Sequence, residues 1–494
     1  MSNATIRLPA VLGIGFTGHR NLRDESRCRH GIREFLRGQQ AKMPGRVYGV
    51  SSAAAGGDLL FAESCLELGI PLHVLLPTSR EIFKKDFDEP SWARAEEVLR
   101  RAAAVEVTGD RDERPEQFYD CGIATVQQSQ MLLALWDGQS SRGLGGTAEI
   151  VAFADKIGRP VIWLHSESGA IEVKNERALA QGAADTELEF LNNLSDAGVQ
   201  QTDDDPDSLV RAWFAKLDAN ASHVAPVARR MASVPVIYTA AAALFSGFAS
   251  RGHAAPAWLG VSMALGLFAA ILPQALGLDR RQLRWARLRT AAEVCRSCLA
   301  MWNARGSCDV IGPEMLPDLS GLLSSLSFLR MLHGAGKRVT LEEFRHEYRE
   351  RRLQDQIGYF SKNAKRAERE GRVYRWIGWI SGALALAVSA YLFAAATGAG
   401  SGHIRISARW MTLLISALFQ VATVAGAMVV IKDCDRRQQR YRELEQWLRN
   451  WVPQFESLHS WGSLLHVVVR VERALTVELL EWRSLVRHAK LPRK

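Results

Sequence analysis

Four stretches of this chain carry no charged residue: Met231–Ala249, Ala254–Leu278, Trp376–Ala399 and Trp410–Ile431, of 19, 25, 24 and 22 residues. A helix needs about 20 apolar residues to cross a bilayer. Helices and closed barrels alone satisfy their backbone groups in hydrocarbon. The stretches therefore predict four membrane-spanning helices, paired into hairpins by the short loops Ser250–His253 and Gly400–Arg409. The other reading is a helical hairpin buried in a soluble core. The first stretch is the weakest, being Ala-rich and carrying Pro235.

The charges around these stretches orient them. Within 15 residues of the outer ends lie 19 Lys and Arg, against three in the connecting loops (Arg251, Arg405 and Arg409). The positive-inside rule then puts both termini and the middle segment in the cytoplasm, as in a multi-pass inner-membrane protein. Residues 1–30 are polar and charged and show no signal peptide. Residues 1–170 are slightly acidic, with 20 basic and 22 acidic side chains, so the whole chain's excess of +9 comes from the second half. Basic helix ends favour anionic lipid headgroups, which accounts for the excess without nucleic acid. No ionisable residue lies within any span, which argues against an ion-coupled pump. Gln420, near the middle of the fourth span, is a candidate pore residue or an interhelical hydrogen-bonding group. Gly378-x-x-x-Gly382 permits close helix contact. Cys295-x-x-Cys298 stands without a second pair or a His cluster, so no metal site is expected.

An internal repeat accompanies the spans. Asp279-Arg-Arg-Gln-Leu-Arg-Trp285 follows the second and Asp435-Arg-Arg-Gln-Gln-Arg-Tyr441 the fourth, 156 residues on. A duplicated unit of two spans and a basic helix is the simplest account; chance similarity of basic flanks is the other.

Residues 1–165 read differently. Apolar runs at Val11–Phe16, Val47–Val50, Leu72–Leu76, Val105–Val107, Leu132–Trp136 and Val161–Leu164 alternate with helical patterns. This is the rhythm of an open, doubly wound, mostly parallel sheet, in which ligands bind at the carboxyl ends of strands. The unusual residues fall at those ends. Gly15, Thr17, Gly18, His19 and Arg20 follow the first strand. Ser51, Ser52, Gly56, Gly57 and Asp58 follow the second, and Asp137, then Gly143, Gly145, Gly146, Thr147 and Glu149, follow the fifth. Glycine lets backbone approach a ligand closely, and a helix N-terminus favours phosphate. Three such loops on one edge point to a phosphate-bearing, nucleotide-like ligand; tight turns without a ligand are the alternative. His19 and Arg20 would meet phosphate or base. Asp58 would read a ribose or cap its helix. Thr147 is a phosphate candidate, and Glu149 a sugar ligand, an acid–base group or a complement to the helix dipole.

These residues resemble the SLOG domains, relatives of the LOG and DprA Rossmann-like families, over roughly residues 8–166. The membrane half resembles the SLATT domains, two-span effectors associated with SLOG sensors, most clearly from Gln356-Ile-Gly-Tyr359 through the spans to Asp435–Tyr441. The resemblance implies a sensor of a cyclic or NAD-derived nucleotide second messenger, with no other cofactor, whose output is membrane permeability in prokaryotic antiphage defence. TRPM channels resemble the same logic. LOG hydrolases carry PGGxGTxxE; here the Pro is missing and Glu149 follows Thr147 by two residues rather than three, which turns the carboxylate by about 100° on a helix. The expectation is thus a non-enzymatic, nucleotide-gated channel or pore acting as a homo-oligomer. A membrane-tethered LOG-like nucleoside-phosphate hydrolase using Glu149 and Arg20 is the alternative. A DprA-like DNA-handling role is disfavoured by the acidic balance of the N-terminal half.

The expected organisation is an α/β sensor domain over 1–169, a connector over 170–230, a first hairpin with a cytoplasmic helix over 231–302, a helical segment over 303–360, and a SLATT-like hairpin with C-terminal helices over 361–494.

Overall fold

The computed structural model describes residues 6–108, 113–140, 145–176, 186–196, 198–199, 205–231, 233–249, 255–275, 277–304, 316–334, 339–397 and 408–488. Gly143 and the loop residues 250–253 and 400–407 lie outside them.

Chain contacts divide the protein into two compact units, each made of non-contiguous stretches. The first is Met1–Asn220, Thr290–Phe344 and Ser460–Glu478; the second is Ala221–Arg289, Arg345–His459 and Leu479–Lys494.

The first unit is built on a seven-stranded sheet: β1 (Leu12–Gly18), β2 (Val47–Ser51), β3 (Leu72–Leu76), β4 (Ala104–Val107), β5 (Met131–Trp136), β6 (Val161–His165) and β7 (Ile171–Lys174). The order is β4-β3-β2-β1-β5-β6-β7, parallel except for β7. The inner apolar runs form strands because both sheet faces are covered there, while the edge strand β4 leaves Val105 and Val107 about half exposed. Ile14, Phe16, Leu133 and Leu135 pack on one face beneath α1 (Glu25–Lys42), α2 (Gly57–Glu67) and, beyond a short α3 (Arg80–Phe83), α4 (Glu89–Arg101). Leu132, Ala134 and Val161 pack on the other beneath α5 (Arg114–Gln127) and α6 (Thr147–Lys156).

Two details depart from the sequence reading. β1 runs two residues further than its apolar run, so Gly15, Thr17 and Gly18 lie within the strand rather than after it. Gly15 is bare because α5 crosses close above it: a Cβ there would lie 2.5 Å from Ser129 Oγ and 3.0 Å from the Thr125 carbonyl. The seventh strand falls in what the sequence read as the start of a connector. Among its described residues the connector also holds α7 (Thr186–Asn192), within the Asp185–Asn193 stretch that reads as helical in the sequence, and α8 (Pro206–Met231).

The amino edge of the sheet is covered from far along the chain. On α12 (Ser320–Gly334), Phe328 stacks 5.5 Å from the Tyr48 ring, and Ser324 hydrogen-bonds Gln130.

The second unit is helical. It holds α9 (Val234–Ala249) and α10 (Ala255–Ala275), followed by α11 (Leu278–Ala300). α13 (Leu341–Tyr348) enters this unit after Phe344 and passes through a π-helical turn (Arg349–Gln354) into α14 (Asp355–Ala396). Then come α15 (Ala408–Ile431), α16 (Cys434–Glu456) and α17 (Trp461–His488), which returns to the first unit. Pro235 falls in the first turn of α9, where its missing N–H breaks no helical hydrogen bond. Two helices, within Leu341–Ala396 and Trp410–Glu456, are long and apolar enough to cross a membrane, with mean hydropathy of 1.8 and 2.2 over their apolar windows. α9 and α10 contain the shorter apolar segments Val234–Phe248 and Pro256–Leu272.

The basic repeat ties α16 to the polar half of α14. Asp435 pairs with Arg375 at 2.7 Å, Arg437 with Glu370 at 3.1 Å, and Tyr441 packs 5.7 Å from the Phe360 ring. α15 turns into α16 through Asp433 in the left-handed region, at φ +48. A non-glycine residue there carries strain of about 1 kcal/mol. Asp433→Gly should therefore raise unfolding stability by up to about 1 kcal/mol, and Asp433→Val should lower it. Denaturant unfolding of the full chain in detergent measures both, and the reverse order would contradict the assigned turn.

Candidate functional site

The strand order leaves β1 in both directions, with β2 to β4 on one side and β5 to β7 on the other. Helices after β1, β2 and β3 cover one face, and those before and after β5 the other. At such a reversal the chain diverges to opposite faces and a crevice opens at the carboxyl ends of the two central strands. Here those ends are Gly18–Arg20 and Trp136–Gly138, brought side by side by the β1–β5 register.

One of the three glycine loops is closed by the protein itself. Gly56 caps α2 at φ +94, and a Cβ on it would lie 2.2 Å from the Arg20 carbonyl and 2.5 Å from that of His19. The first amide of α2, on Gly57, donates to the His19 carbonyl at 2.9 Å. Gly18 and Gly57 face each other, each with the other's Cα 3.3 Å from where its Cβ would be. These glycines let the β1–α1 loop lie directly on the α2 N-terminus.

Asp58 completes the closure. Its carboxylate accepts from Ser52 Oγ at 2.9 Å and, more loosely, from Ser51 Oγ at 3.5 Å. Ser51 is fully buried and Asp58 nearly so. Burial pushes the Asp58 pKa up to about 6, against the pull of Ser52, Gly18, Arg20 and Ser51. The carboxylate's bonds thus go to its own loops.

The loop after β5 is different. Gly146 caps α6 without a side-chain hydrogen bond, and Thr147 begins the helix. Gly145 (φ +84) presses on α5, with a Cβ position 2.9 Å from the Tyr119 amide. Glu149 Oε2 accepts the Gly145 amide at 2.6 Å. Its carboxylate therefore shapes the loop and complements the dipole from the first turn.

Three side chains frame this N-terminus. His19 Nε2 lies 3.0 Å from Asp137 Oδ1 and 3.1 Å from the Asp137 amide. A protonated Nε2 donates to the carboxylate; an unprotonated one accepts from the amide, so the tautomer selects one bond. Either bond links the two central strand ends. Burial opposes the Asp137 carboxylate, but the Gln139 amide and then His19 outweigh it and hold its pKa below the usual range. Arg20 is exposed, with its guanidinium 4.9 Å from the Phe118 ring centroid, and Phe118 also touches Gly145.

Sequence reasoning names His19, Arg20, Asp137 and the Gly145–Glu149 turn as candidates but not the groups that support them. Phe118 carries Arg20. Trp163 packs against Gly138 and donates to the Trp136 carbonyl at 3.0 Å, and Trp136 Nε1 donates to the Gln139 carbonyl at 2.9 Å. Aromatics in a helix and a strand read simply as core. Gln420 lies in the other unit, half-buried on α15. Among the described residues no group of three or more His, Cys, Asp or Glu has a metal-binding arrangement.

The chain matches no protein-family model, and no curated protein is significantly similar to it.

Asp58 gives the first unit a pH signature. The folded protein holds this proton up to about pH 6, whereas the unfolded chain releases it near 3.8. The resulting stability is present below pH 4 and is lost as pH rises through 6, to the extent of about 3 kcal/mol. Asp58→Asn should remove that loss, so the variant's unfolding temperature should overtake the wild type's between pH 4 and 7. Parallel pH profiles would contradict the assigned environment.

Proposed function

We propose that the chain is a nucleotide-gated membrane effector. A cyclic or NAD-derived nucleotide binds in the crevice between β1 and β5, with phosphate at the α6 N-terminus. Binding opens an ion path through a homo-oligomer in the bacterial inner membrane, with both termini in the cytoplasm. The SLOG and SLATT resemblances support a role in antiphage defence.

One observation carries the reading. At the reversal of strand order, an α6 N-terminus with no side-chain cap, the exposed Arg20 and the linked His19–Asp137 pair converge. Backbone N–H groups and a guanidinium together suit a phosphate. The engaged Glu149 carboxylate favours a sensor over the hydrolase.

The membrane side has its own support. Only 11% of each apolar window in α14 and α15 is buried within the protein, unlike core helices. The 21 residues of α10 rise about 32 Å, enough for a hydrocarbon core of about 30 Å. The 16 residues of α9 rise about 24 Å, so this first span requires local thinning of the bilayer. The ligand gates the spans only by favouring one of their arrangements energetically.

Purified protein in liposomes loaded with a Ca²⁺ or K⁺ indicator, exposed to a panel of cyclic and NAD-derived nucleotides, tests the reading. One nucleotide should trigger flux. Gly146→Trp should abolish it while leaving insertion intact, and Arg20→Ala should raise the concentration needed at least tenfold. Consumption of a nucleotide without flux would favour the tethered hydrolase.

A further inference from the structure

We propose that a second copy of this chain docks against α10, reusing between chains the contact that joins the two hairpins within one chain. The inference rests on the membrane reading above, and names the surface that builds the oligomer.

The hairpins are structural repeats. α11 and α16 each have 23 residues and begin 156 residues apart, at Leu278 and Cys434. The preceding helices end at the same spacing, at Ala275 and Ile431. The turns match as well. Gly277 and Asp433 both adopt the left-handed conformation, at φ +55 and +48. Their carbonyls accept the Arg281 and Arg437 amides at 3.1 and 3.0 Å. The basic sequence motifs share this register. Coincidence in sequence, helix ends, backbone conformation and hydrogen bonding marks a duplication.

Each repeat has an incoming helix, α9 or α14, and an outgoing one, α10 or α15. Inside the first repeat Tyr238 packs 5.0 Å from the Phe268 ring, and Ser262 Oγ donates to the Ala242 carbonyl at 2.8 Å. Inside the second, Gly378 faces Ala422 and Ala425. Between repeats, the incoming helix of the first packs on the outgoing helix of the second: a Cβ on Gly247 would lie 3.9 Å from Ser416 Oγ. The reciprocal pair, α10 with α14, is not among the packed helix pairs of the described residues. The inter-repeat contact is therefore head-to-tail. It uses one face of each repeat and leaves the complementary face of each open.

The repeat register locates those open faces. Ser416 corresponds to Gly260, where an added Cβ would meet nothing within 4 Å. Gly260 shares a stripe of α10 with Met263 and Leu267, which are 74% and 63% exposed. Tyr238 stands against Phe268 as Gly378 does against Ala422 and Ala425, so Gly247 corresponds to Ala387. Ala387 is exposed and shares a stripe of α14 with Ile380 and Leu384. Small residues at both positions allow the backbones to approach closely. α14 of one chain thus fits α10 of the next as α9 fits α15 within it. A head-to-tail contact repeated about the membrane normal builds an oligomer, a ring when its rotation closes.

Oxidative cross-linking in native membranes tests this with Gly260→Cys, Ala387→Cys and the double variant, wild type showing the background from native cysteines. The double variant should give a ladder of covalent oligomers, because facing positions come within disulfide reach. Each single variant should match wild type. Membrane-retained double variant without a ladder, or dimers from a single variant, would overturn the proposal. Release of wild type by alkaline carbonate would instead overturn the membrane reading, and the inference with it. Should the double variant fail to insert, light scattering in detergent decides: wild type should be multimeric and Gly260→Trp monomeric, and a monomeric wild type would overturn the proposal.

Discussion

The seating of the β1–α1 loop on the N-terminus of α2 governs the chemistry of the sheet's carboxyl edge. The Gly57 amide meets the His19 carbonyl, and no side chain at Gly56 would leave room for the Arg20 backbone. Ser51, Ser52 and Asp58 tie the same loops from beneath. The arrangement satisfies helix-terminal donors that are costly to bury unpaired. It also fixes where His19 and Arg20 emerge. With α2 sealed, α6 is the helix N-terminus left beside them at the strand reversal. One contact thus separates two glycine-rich turns of similar composition into a structural joint and a binding candidate.

The α/β architecture was legible in the sequence because burial on both faces makes parallel strands continuous apolar runs. Five strands announce themselves that way; the edge strand β4 alternates with Glu106 and leaves Val105 and Val107 about half exposed. β7 does not: Ile171–Lys174 is short, exposed and alternates with charge. The end of β1 was hidden for a related reason. Gly15 and Gly18 interrupt the apolar pattern, yet they are bare because α5 and α2 press on them. Close approach of backbone to backbone and close approach of backbone to ligand use the same residue. Sequence therefore found the loops, but tertiary packing was needed to say which glycine serves which purpose. The same holds for Asp58 and Glu149, whose partners are local amides and hydroxyls, and for α12, whose cover of the sheet's amino edge leaves no trace in residues 1–165.

In the helical half, the repeat was visible as seven residues of basic motif, and the structure extends it to helix ends and backbone torsions. The motif's work lies at the helix boundary. Asp435 and Arg437 pin α16 to the polar half of α14, while the apolar halves of α14 and α15 pack on each other. A helix pair with a polar, ion-paired end and an apolar, exposed end is long and apolar enough to cross a membrane. α8, which leaves the first unit at Asn220, and α11, which re-enters it at Thr290, are single helices shared by both units. They link the two units covalently.

The central claim is that nucleotide phosphate occupies the α6 N-terminus and leaves the α2 N-terminus untouched. Amide hydrogen exchange on nanodisc-embedded protein, with and without ADP-ribose and cyclic dinucleotides, measures this directly. The account predicts that one of these ligands slows exchange at Gly146–Glu149 and His19–Arg20, with Gly56–Asp58 unchanged. Protection at Gly56–Asp58 with none at Gly146–Glu149 would contradict it.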